Sequence, residues 1–231
     1  MVTVNGSNKQ GNVDPTGILQ AVGFFNIAGN TVNNGTINIG WASVYNYNAT
    51  STITGNGVIN LLNVTLASDF RGNKDCYWNT TFTNISGQTI NMTNSQISFG
   101  TQGGKGSVSD VTINCIGGGN YIAFNAGMAA NVKNVKIRGF GNGDVIDLGS
   151  YNMQDSYYYD SYTGFLTVST WYNGQYISLS IDIGLGYDPG GFSVVKTYEG
   201  SVAGDTGISY VAAAPSRSAC PTDNTAQLRG R

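Results

Sequence analysis

The chain contains no histidine, and only 10% of its 231 residues are charged. Without histidine, catalytic triads that use an imidazole base are excluded, and a zinc site is disfavoured. A charged share far below the usual level of roughly 25% excludes a charged helical bundle or a coiled coil. The net charge of −2 provides no basic face for phosphate groups, so we expect no nucleic acid partner.

Long apolar runs are also lacking. The longest ones, such as residues 21–25, are far too short to cross a bilayer, so the sequence predicts no membrane span. Residues 1–7 do not combine a basic segment with an apolar stretch, so no ordinary signal peptide is visible. The route of export is therefore left open.

Cysteine is scarce as well. Cys76, Cys115 and Cys220 are an odd number and lack the spacing of metal ligands. We expect Cys115 to be a small core residue, because a free cysteine is commonly buried. Whether Cys76 or Cys220 forms a disulfide is left open.

What the chain has in abundance is glycine, at 33 residues, and a recurring four-residue phrase of the type Thr-Ile-Asn-Ile. The isoleucines of successive copies lie 22, 31 and 23 residues apart, and the longer step contains a polar segment, residues 69–75, that we interpret as an inserted loop. The copies are residues 36–39, 58–61, 89–92 and 112–115, with a degenerate fifth copy at 135–138.

Each phrase is too short for a helix and alternates between apolar and polar residues, which is typical of a β-strand with one buried side. Residues 63–66, 96–99 and 121–124 supply further short strands. Coils of roughly 20 to 25 residues built from short strands and polar turns predict a β-solenoid, in which stacked coils bury a common apolar column. The Asn and Thr positions would form side-chain ladders on the opposite side of each strand.

From Gly139 onward the repeat stops. Asn173-Gly174 separates two alternating runs, residues 165–171 and 175–181, which is the strongest short-range signal of a β-hairpin. Residues 190–195 and 207–211 read as further strands. The sequence thus predicts an all-β fold: a β-solenoid with an N-terminal cap over 1–148, a C-terminal β-hairpin capping module over 149–211, and a disordered tail over 212–231.

The order of Asn/Thr/Gly-rich repeats, the Gly143–Leu148 phrase Gly-Asp-Val-Ile-Asp-Leu, a hairpin and the Gly191–Val194 strand resembles bacterial secreted adhesins and autotransporter passengers. Some of those proteins carry a hedgehog/intein-like processing domain downstream. The resemblance covers residues 30–211. It implies an exported, surface-associated protein without enzymatic activity.

The leading hypothesis is accordingly a structural or adhesive protein of the cell surface or extracellular matrix, such as a biofilm component. Its partners would be surface glycans, further copies of itself, or both. Self-assembly into fibres is a natural extension, because stacked coils already have a cross-β spacing. No resident cofactor is expected.

Aromatic side chains are the predicted binding residues of this hypothesis, because tyrosine and tryptophan stack on sugars and contact proteins. The candidates are Tyr77 and Trp78 beside the inserted loop, and Tyr158, Trp171 and Tyr172 in the C-terminal third.

An enzyme is the alternative hypothesis. Some β-helix proteins cleave polysaccharides with clustered acidic residues, and Asp69, Asp75 and Asp110 are the candidates for that chemistry in the repeat region. This alternative requires the three carboxylates to converge in one groove.

Calcium is a weaker possibility. The Gly141–Asp144 segment resembles half of a calcium-binding repeat, with Asp144 and Asp147 as oxygen ligands. A single copy is also what a carboxylate that caps a turn would look like.

Overall fold

The computed structural model describes residues 2–5, 8–9, 12–13, 18–27, 29–44, 52–64, 81–100, 104–149, 156–197 and 206–215. Within them the chain winds as a β-solenoid in which each complete coil contributes one strand to each of three sheets, here called the first, second and third faces. The predicted solenoid with a C-terminal hairpin cap is confirmed.

The first face begins with parallel strands that carry the repeated phrase. They are β1 (Val2–Asn5), β4 (Ile18–Ile27) with β2 (Asn8–Lys9) paired beside it, β6 (Thr36–Val44), β8 (Val58–Leu62), β11 (Thr89–Thr93), β14 (Thr112–Ile116) and β17 (Lys136–Arg138).

The other two faces are built from the strands that flank the phrase. The second face contains β3 (Asn12–Val13), β5 (Asn30–Asn33), β7 (Thr52–Thr54), β10 (Asn84–Ser86), β13 (Ser107–Ser109) and β16 (Val132–Lys133). The third face contains β9 (Thr81–Phe82), β12 (Gln96–Phe99), β15 (Tyr121–Asn125) and β18 (Asp144–Gly149). A 3-10 helix, Ala126–Asn131, separates β15 from β16.

The repeated isoleucines stack in register along the solenoid axis. Ile37 pairs with Ile59, Ile59 with Ile90, Ile90 with Ile113, and Ile113 with Ile137, and none of these side chains is exposed. Burying an isoleucine side chain contributes about 1.5–3 kcal/mol, and every coil repeats the contribution. The predicted axial column is therefore confirmed, and Cys115 lies in the neighbouring buried column as expected.

Large aromatic residues complete the core on the third face. Phe82, Phe99 and Phe124 stack across consecutive coils, with ring centroids 6.1 and 5.0 Å apart. The rings fill the width that the isoleucines leave open, so the interior is packed rather than hollow.

The asparagines of the repeated phrase form the ladder that the sequence predicts. Asn60 donates to Asn38, Asn91 to Asn60 and Asn114 to Asn91, each over 2.7 Å between Nδ2 and Oδ1. Asn60 and Asn91 each donate and accept, and Asn114 donates at the end of the ladder, so the axial stacking of coils is held by side chains as well as by backbone.

The strand predicted over residues 63–66 is absent at its first two residues, and residues 65–66 lie outside the described residues. Asn63 does not begin a strand but occupies a corner with a φ of 50°, and Asn94 does the same one coil later with a φ of 44°. Asparagine tolerates this left-handed conformation better than most residues, which is why it recurs at corners.

The C-terminal module is antiparallel and caps the solenoid. It consists of β19 (Ser156–Asp160), β20 (Phe165–Tyr172), β21 (Gln175–Asp182), β22 (Phe192–Lys196) and β23 (Thr206–Tyr210), with a short 3-10 helix at Pro189–Gly191. β21 extends the first face from β17, and β23 pairs with β18 on the third face. The Asn173-Gly174 turn joins β20 to β21 as predicted, with both residues at positive φ.

No helix in the described ranges is long and apolar enough to cross a membrane. The predicted tail, apart from residues 212–215, lies outside the described residues, as do Cys76 and Cys220.

Candidate functional site

The outward side of β19, β20 and β21 carries aromatic rings interleaved with hydroxyl groups, and we call it the hairpin face. Alternation along each strand turns every second residue away from the core. Its members are Ser156, Tyr158, Phe165, Thr167, Ser169, Trp171, Tyr176, Ser178 and Ser180.

The aromatic members are well exposed. Tyr158 is 68% exposed, Tyr176 56%, Trp171 52% and Phe165 42%. Trp171 and Tyr176 are cross-strand partners with centroids 5.6 Å apart in a T-shaped arrangement. A contact of this kind holds both rings in place, so they form a preorganised platform.

The hydroxyl groups are also fixed by cross-strand pairs. Thr167 Oγ1 lies 2.8 Å from Ser180 Oγ, and Ser169 Oγ lies 2.8 Å from Ser178 Oγ. Ser156 Oγ lies 3.0 Å from the Tyr176 hydroxyl, and this hydrogen bond lowers the pKa of Tyr176. Ser169 is buried, whereas the other hydroxyl groups are at least partly exposed and have lone-pair capacity for a ligand.

One row of outward side chains runs from the solenoid into the hairpin face. Across neighbouring strands it joins Thr112 to Lys136, Lys136 to Asp182, and Asp182 to Phe165. Lys136 and Asp182 are the one pair in register between β17 and β21. The seam between solenoid and module therefore crosses this row.

A cavity of about 430 Å³ opens at that seam, and we call it the junction pocket. It lies where the parallel stacking of coils gives way to the antiparallel hairpin. Its lining residues are Asp110, Thr112, Asn134, Val135, Lys136, Phe165, Ser180 and Asp182.

Asp110 and Asn134 reach the junction pocket from one corner of the solenoid. Gly55 and Gly87 occupy this corner in earlier coils, whereas Asp110 and Asn134 occupy it in the last two, all at positive φ. Asn134 Nδ2 donates to Asp110 Oδ1 over 2.9 Å. Among these four coils, this corner position therefore carries a side chain only in the two next to the hairpin module.

Asp182 is held by Arg138. The guanidinium donates to both carboxylate oxygens, from Nη1 over 2.9 Å and from Nη2 over 2.7 Å, and also to the Asp182 carbonyl over 2.8 Å. Both side chains are about a quarter exposed, so the pair is partly shielded from solvent. The contact fixes β21 onto the end of the solenoid.

Asp144 terminates a buried polar ladder along the third face. Ser95 Oγ accepts from the Val64 N–H, Asn120 Oδ1 accepts from the Ser95 N–H, and Asp144 Oδ1 accepts from both the N–H and the Nδ2 of Asn120. Asp144 Oδ2 then accepts from the Gly141 N–H. Burial raises the pKa of Asp144, against the opposing effect of these hydrogen bonds.

These contacts give Asp144 the role of closing the Gly141–Asp144 turn. Asp147 is also buried and accepts from the Tyr121 hydroxyl. In the described ranges no three cysteine or acidic side chains come together in a group that could hold a metal ion. Calcium binding by Asp144 and Asp147 stays a prediction, which a calcium titration of the melting temperature would test.

Three of the predicted binding residues lie on two sides of the hairpin sheet, and the other two lie outside the described residues. Tyr158 and Trp171 share the hairpin face, whereas Tyr172 is half-buried and packs beside Gly127 against the core. Tyr77 and Trp78 lie outside the described residues.

The acidic residues of the enzyme alternative do not all lie in the described part. Asp110 lines the junction pocket, while Asp69 and Asp75 fall in the undescribed segment 65–80. Their convergence in one groove stays a prediction.

Sequence reasoning missed Phe165, Ser180, Lys136 and Asp182 as members of a site. The signal for the hairpin pair was present, because the Asn173-Gly174 turn sets the register that places Phe165 opposite Asp182. No sequence signal indicated which residues lie next to Lys136, since its neighbours depend on how the hairpin module docks on the last coil.

Comparison with known proteins gives one family. Residues 124–225 match the sequence profile described as the N-terminal domain of hyphally regulated cell wall proteins, a stretch that covers less than half of the chain. No curated protein matches the chain. The match is to a cell wall family rather than to bacterial autotransporter passengers or to enzymes, and it is consistent with an extracellular or cell-surface protein of structural or adhesive type.

Proposed function

We propose that this protein is an adhesive component of a cell surface that binds polysaccharide through the hairpin face. The observation that carries the proposal is the set of four exposed aromatic rings interleaved with paired hydroxyl groups on one side of one sheet. The proposal is supported by residues 124–225, which include the whole hairpin face and match the sequence profile of a family of cell wall proteins.

The chemistry of the hairpin face suits a carbohydrate. The apolar faces of pyranose rings stack on aromatic side chains, while sugar hydroxyls exchange hydrogen bonds with serine and threonine. A rigid platform also reduces the entropic cost of binding, because few rotamers have to be frozen. Trp171 and Tyr176 are therefore the central anchors.

A binding assay against insoluble and soluble polysaccharides tests the proposal. We expect the double variant Trp171→Ala/Tyr176→Ala to lose about tenfold or more in affinity, since each stacking contact contributes about 0.5–1.5 kcal/mol. Tyr162→Ala is the matched control, because Tyr162 is a 93% exposed tyrosine in the β19–β20 turn and is not part of the hairpin face.

Two results would contradict the proposal. One is the absence of binding to every polysaccharide by the folded wild-type protein. The other is equal binding by the double variant and the wild type, which would assign the interaction to another surface.

Self-association into fibres is the second proposal and has less support. The stacked coils favour end-to-end addition in principle, but β21 and β23 already pair with β17 and β18 at the C-terminal end. Sedimentation velocity and electron microscopy at high concentration test it. Monodisperse monomers would contradict it without affecting polysaccharide binding.

A further inference from the structure

We propose that the junction pocket binds one neutral hexopyranose residue of the polysaccharide and so sets the specificity of the hairpin face. This inference rests on the proposed function. The inference goes beyond the proposed function by assigning a substrate class, an uncharged hexose, and a set of recognising residues. These residues are Asp110, Asn134, Lys136, Phe165 and Ser180.

The position of the pocket favours a subsite at the edge of a longer platform. Phe165 belongs to the hairpin face and also lines the pocket. A glycan chain stacked on the hairpin face can therefore place its next residue in the pocket without leaving the sheet surface. The volume of about 430 Å³ accommodates a single pyranose ring with water at its rim.

The lining supplies both kinds of hydrogen-bonding group that a sugar needs. Asp110 is exposed and uses one carboxylate oxygen to accept from Asn134, so its other oxygen can accept from a sugar hydroxyl. Lys136 can donate, and Ser180 can do either. Vicinal hydroxyls, which act as donor and acceptor at once, match this mixed set.

Apolar surface completes the fit. Phe165 is 42% exposed and supplies an aromatic wall, and Val135 adds apolar surface to the lining. A pyranose has a polar rim and a C–H face, so it can contact Phe165 with that face while its hydroxyls reach the polar residues.

The charges in and beside the pocket balance. The Asp182 carboxylate is paired with Arg138, and the remaining Asp110 carboxylate lies in the same pocket as the Lys136 ammonium. A ligand with a carboxylate would approach Asp110 and Asp182, and an amino sugar would approach Lys136 and Arg138. Attraction and repulsion then offset each other for a charged sugar, so nothing compensates for the desolvation of its charge, whereas a neutral hexose has no charge to desolvate.

The test measures the affinity of the full chain for soluble oligosaccharides by isothermal titration calorimetry. The probes are neutral gluco- and manno-oligosaccharides, an oligogalacturonate as the anionic analogue, and a chitosan oligosaccharide as the cationic analogue. We expect a neutral probe to bind about tenfold more tightly than either charged one.

Three variants examine the pocket. Asp110→Asn removes the charge but keeps a residue that tolerates the left-handed corner, and Phe165→Ala removes the wall. Ser180→Tyr fills the cavity from an exposed strand position where tyrosine is well accommodated. We expect each to weaken neutral binding about five- to tenfold. Lys133→Met, which removes an exposed lysine outside the pocket, should stay within about twofold of wild type.

The outcomes separate this inference from the proposed function. If pocket variants bind as wild type while Trp171→Ala/Tyr176→Ala loses binding, the assignment of the pocket as a sugar subsite is wrong. Polysaccharide binding at the hairpin face then still stands. If an anionic or cationic probe binds best, the neutral-hexose assignment is wrong. If wild type binds no saccharide, both proposals fail. Should Asp110→Asn misfold by circular dichroism, Lys136→Met decides, because Lys136 lines the pocket and, unlike Phe165 and Ser180, is not a member of the hairpin face.

Discussion

The solenoid and the hairpin module use the same first face in opposite ways. In the solenoid, the outward residues of one strand lie directly beside their equivalents in the next coil, about 4.8 Å away, and the chain repeats small polar residues such as Asn38, Asn60 and Asn91. In the module, cross-strand partners come from one hairpin and differ from each other, as Trp171 and Tyr176 do. Recognition is thus concentrated where the repeat ends, because only there are outward positions free to carry large, dissimilar side chains.

The largest expected effect is on the buried column of the solenoid. Ile90→Ala should lower the free energy of unfolding by about 3–4 kcal/mol, since Ile90 lies between Ile59 and Ile113 with no exposed surface and its loss leaves a cavity. Urea unfolding followed by circular dichroism measures it. Thr89→Ala, the outward neighbour on the same strand, should change stability by less than about 0.5 kcal/mol. Equal costs would contradict the axial column.

Disrupting the asparagine ladder should lower the free energy of unfolding by a smaller amount. Asn91→Ala removes the donor to Asn60 and the acceptor of Asn114, both of which are buried, so we expect a cost of about 2 kcal/mol. Asn56→Ala, at an exposed asparagine, is the control and should be nearly neutral. A neutral Asn91→Ala would mean that backbone pairing alone holds the coils together.

Breaking the connection between the solenoid and the hairpin module should lower the free energy of unfolding by a still smaller amount. Arg138→Met removes the paired hydrogen bonds to Asp182, and we expect a loss of about 1–2 kcal/mol. Native-state hydrogen exchange should quicken in β21 while β11 is unchanged, since only the module loses an attachment. Lys133→Met should leave both strands unaffected, and uniform quickening of exchange would contradict a local connection.

The smallest effect concerns pH. Because burial raises the pKa of Asp144 in the folded state, the folded protein binds more protons than the unfolded chain between the ordinary aspartate value and the raised value. Stability should therefore fall as pH rises through this window. Asp144→Asn should abolish that slope in urea midpoints, whereas Asp110→Asn, an exposed carboxylate, should retain it. A slope that persists in Asp144→Asn would assign it to another group.

Much of the fold could be predicted because repetition made the signal strong. The recurring Thr-Ile-Asn-Ile phrase predicted the first face in register, and Asn173-Gly174 predicted the hairpin. The second face was not recognised, because its strands, such as Asn84–Ser86 and Val132–Lys133, are only two to four residues long and carry one or two inward side chains each. Such strands form only when neighbouring coils pair with them.

The candidate site was predictable only in part. Tyr158 and Trp171 were recognised by residue type, but alternation along a single strand did not show which of Trp171 and Tyr172 would face the core. The 3-10 helix Ala126–Asn131 determines this orientation, because Tyr172 packs beside Gly127 of that helix. Asp110 was a candidate only under the enzyme alternative, and the structure gives it Asn134 and the hairpin module as neighbours.

The sequence by itself determined the axial column, the asparagine ladder and the place where the repeat stops. These features depend on periodic spacing, and a fixed period brings equivalent residues into contact whatever the rest of the chain does. Only the tertiary structure decided the junction pocket. Its residues come from the last two coils and from both strands of the hairpin, and they meet because Arg138 and Asp182 fix β21 beside β17. Contacts of that kind follow from docking geometry, which no local pattern encodes.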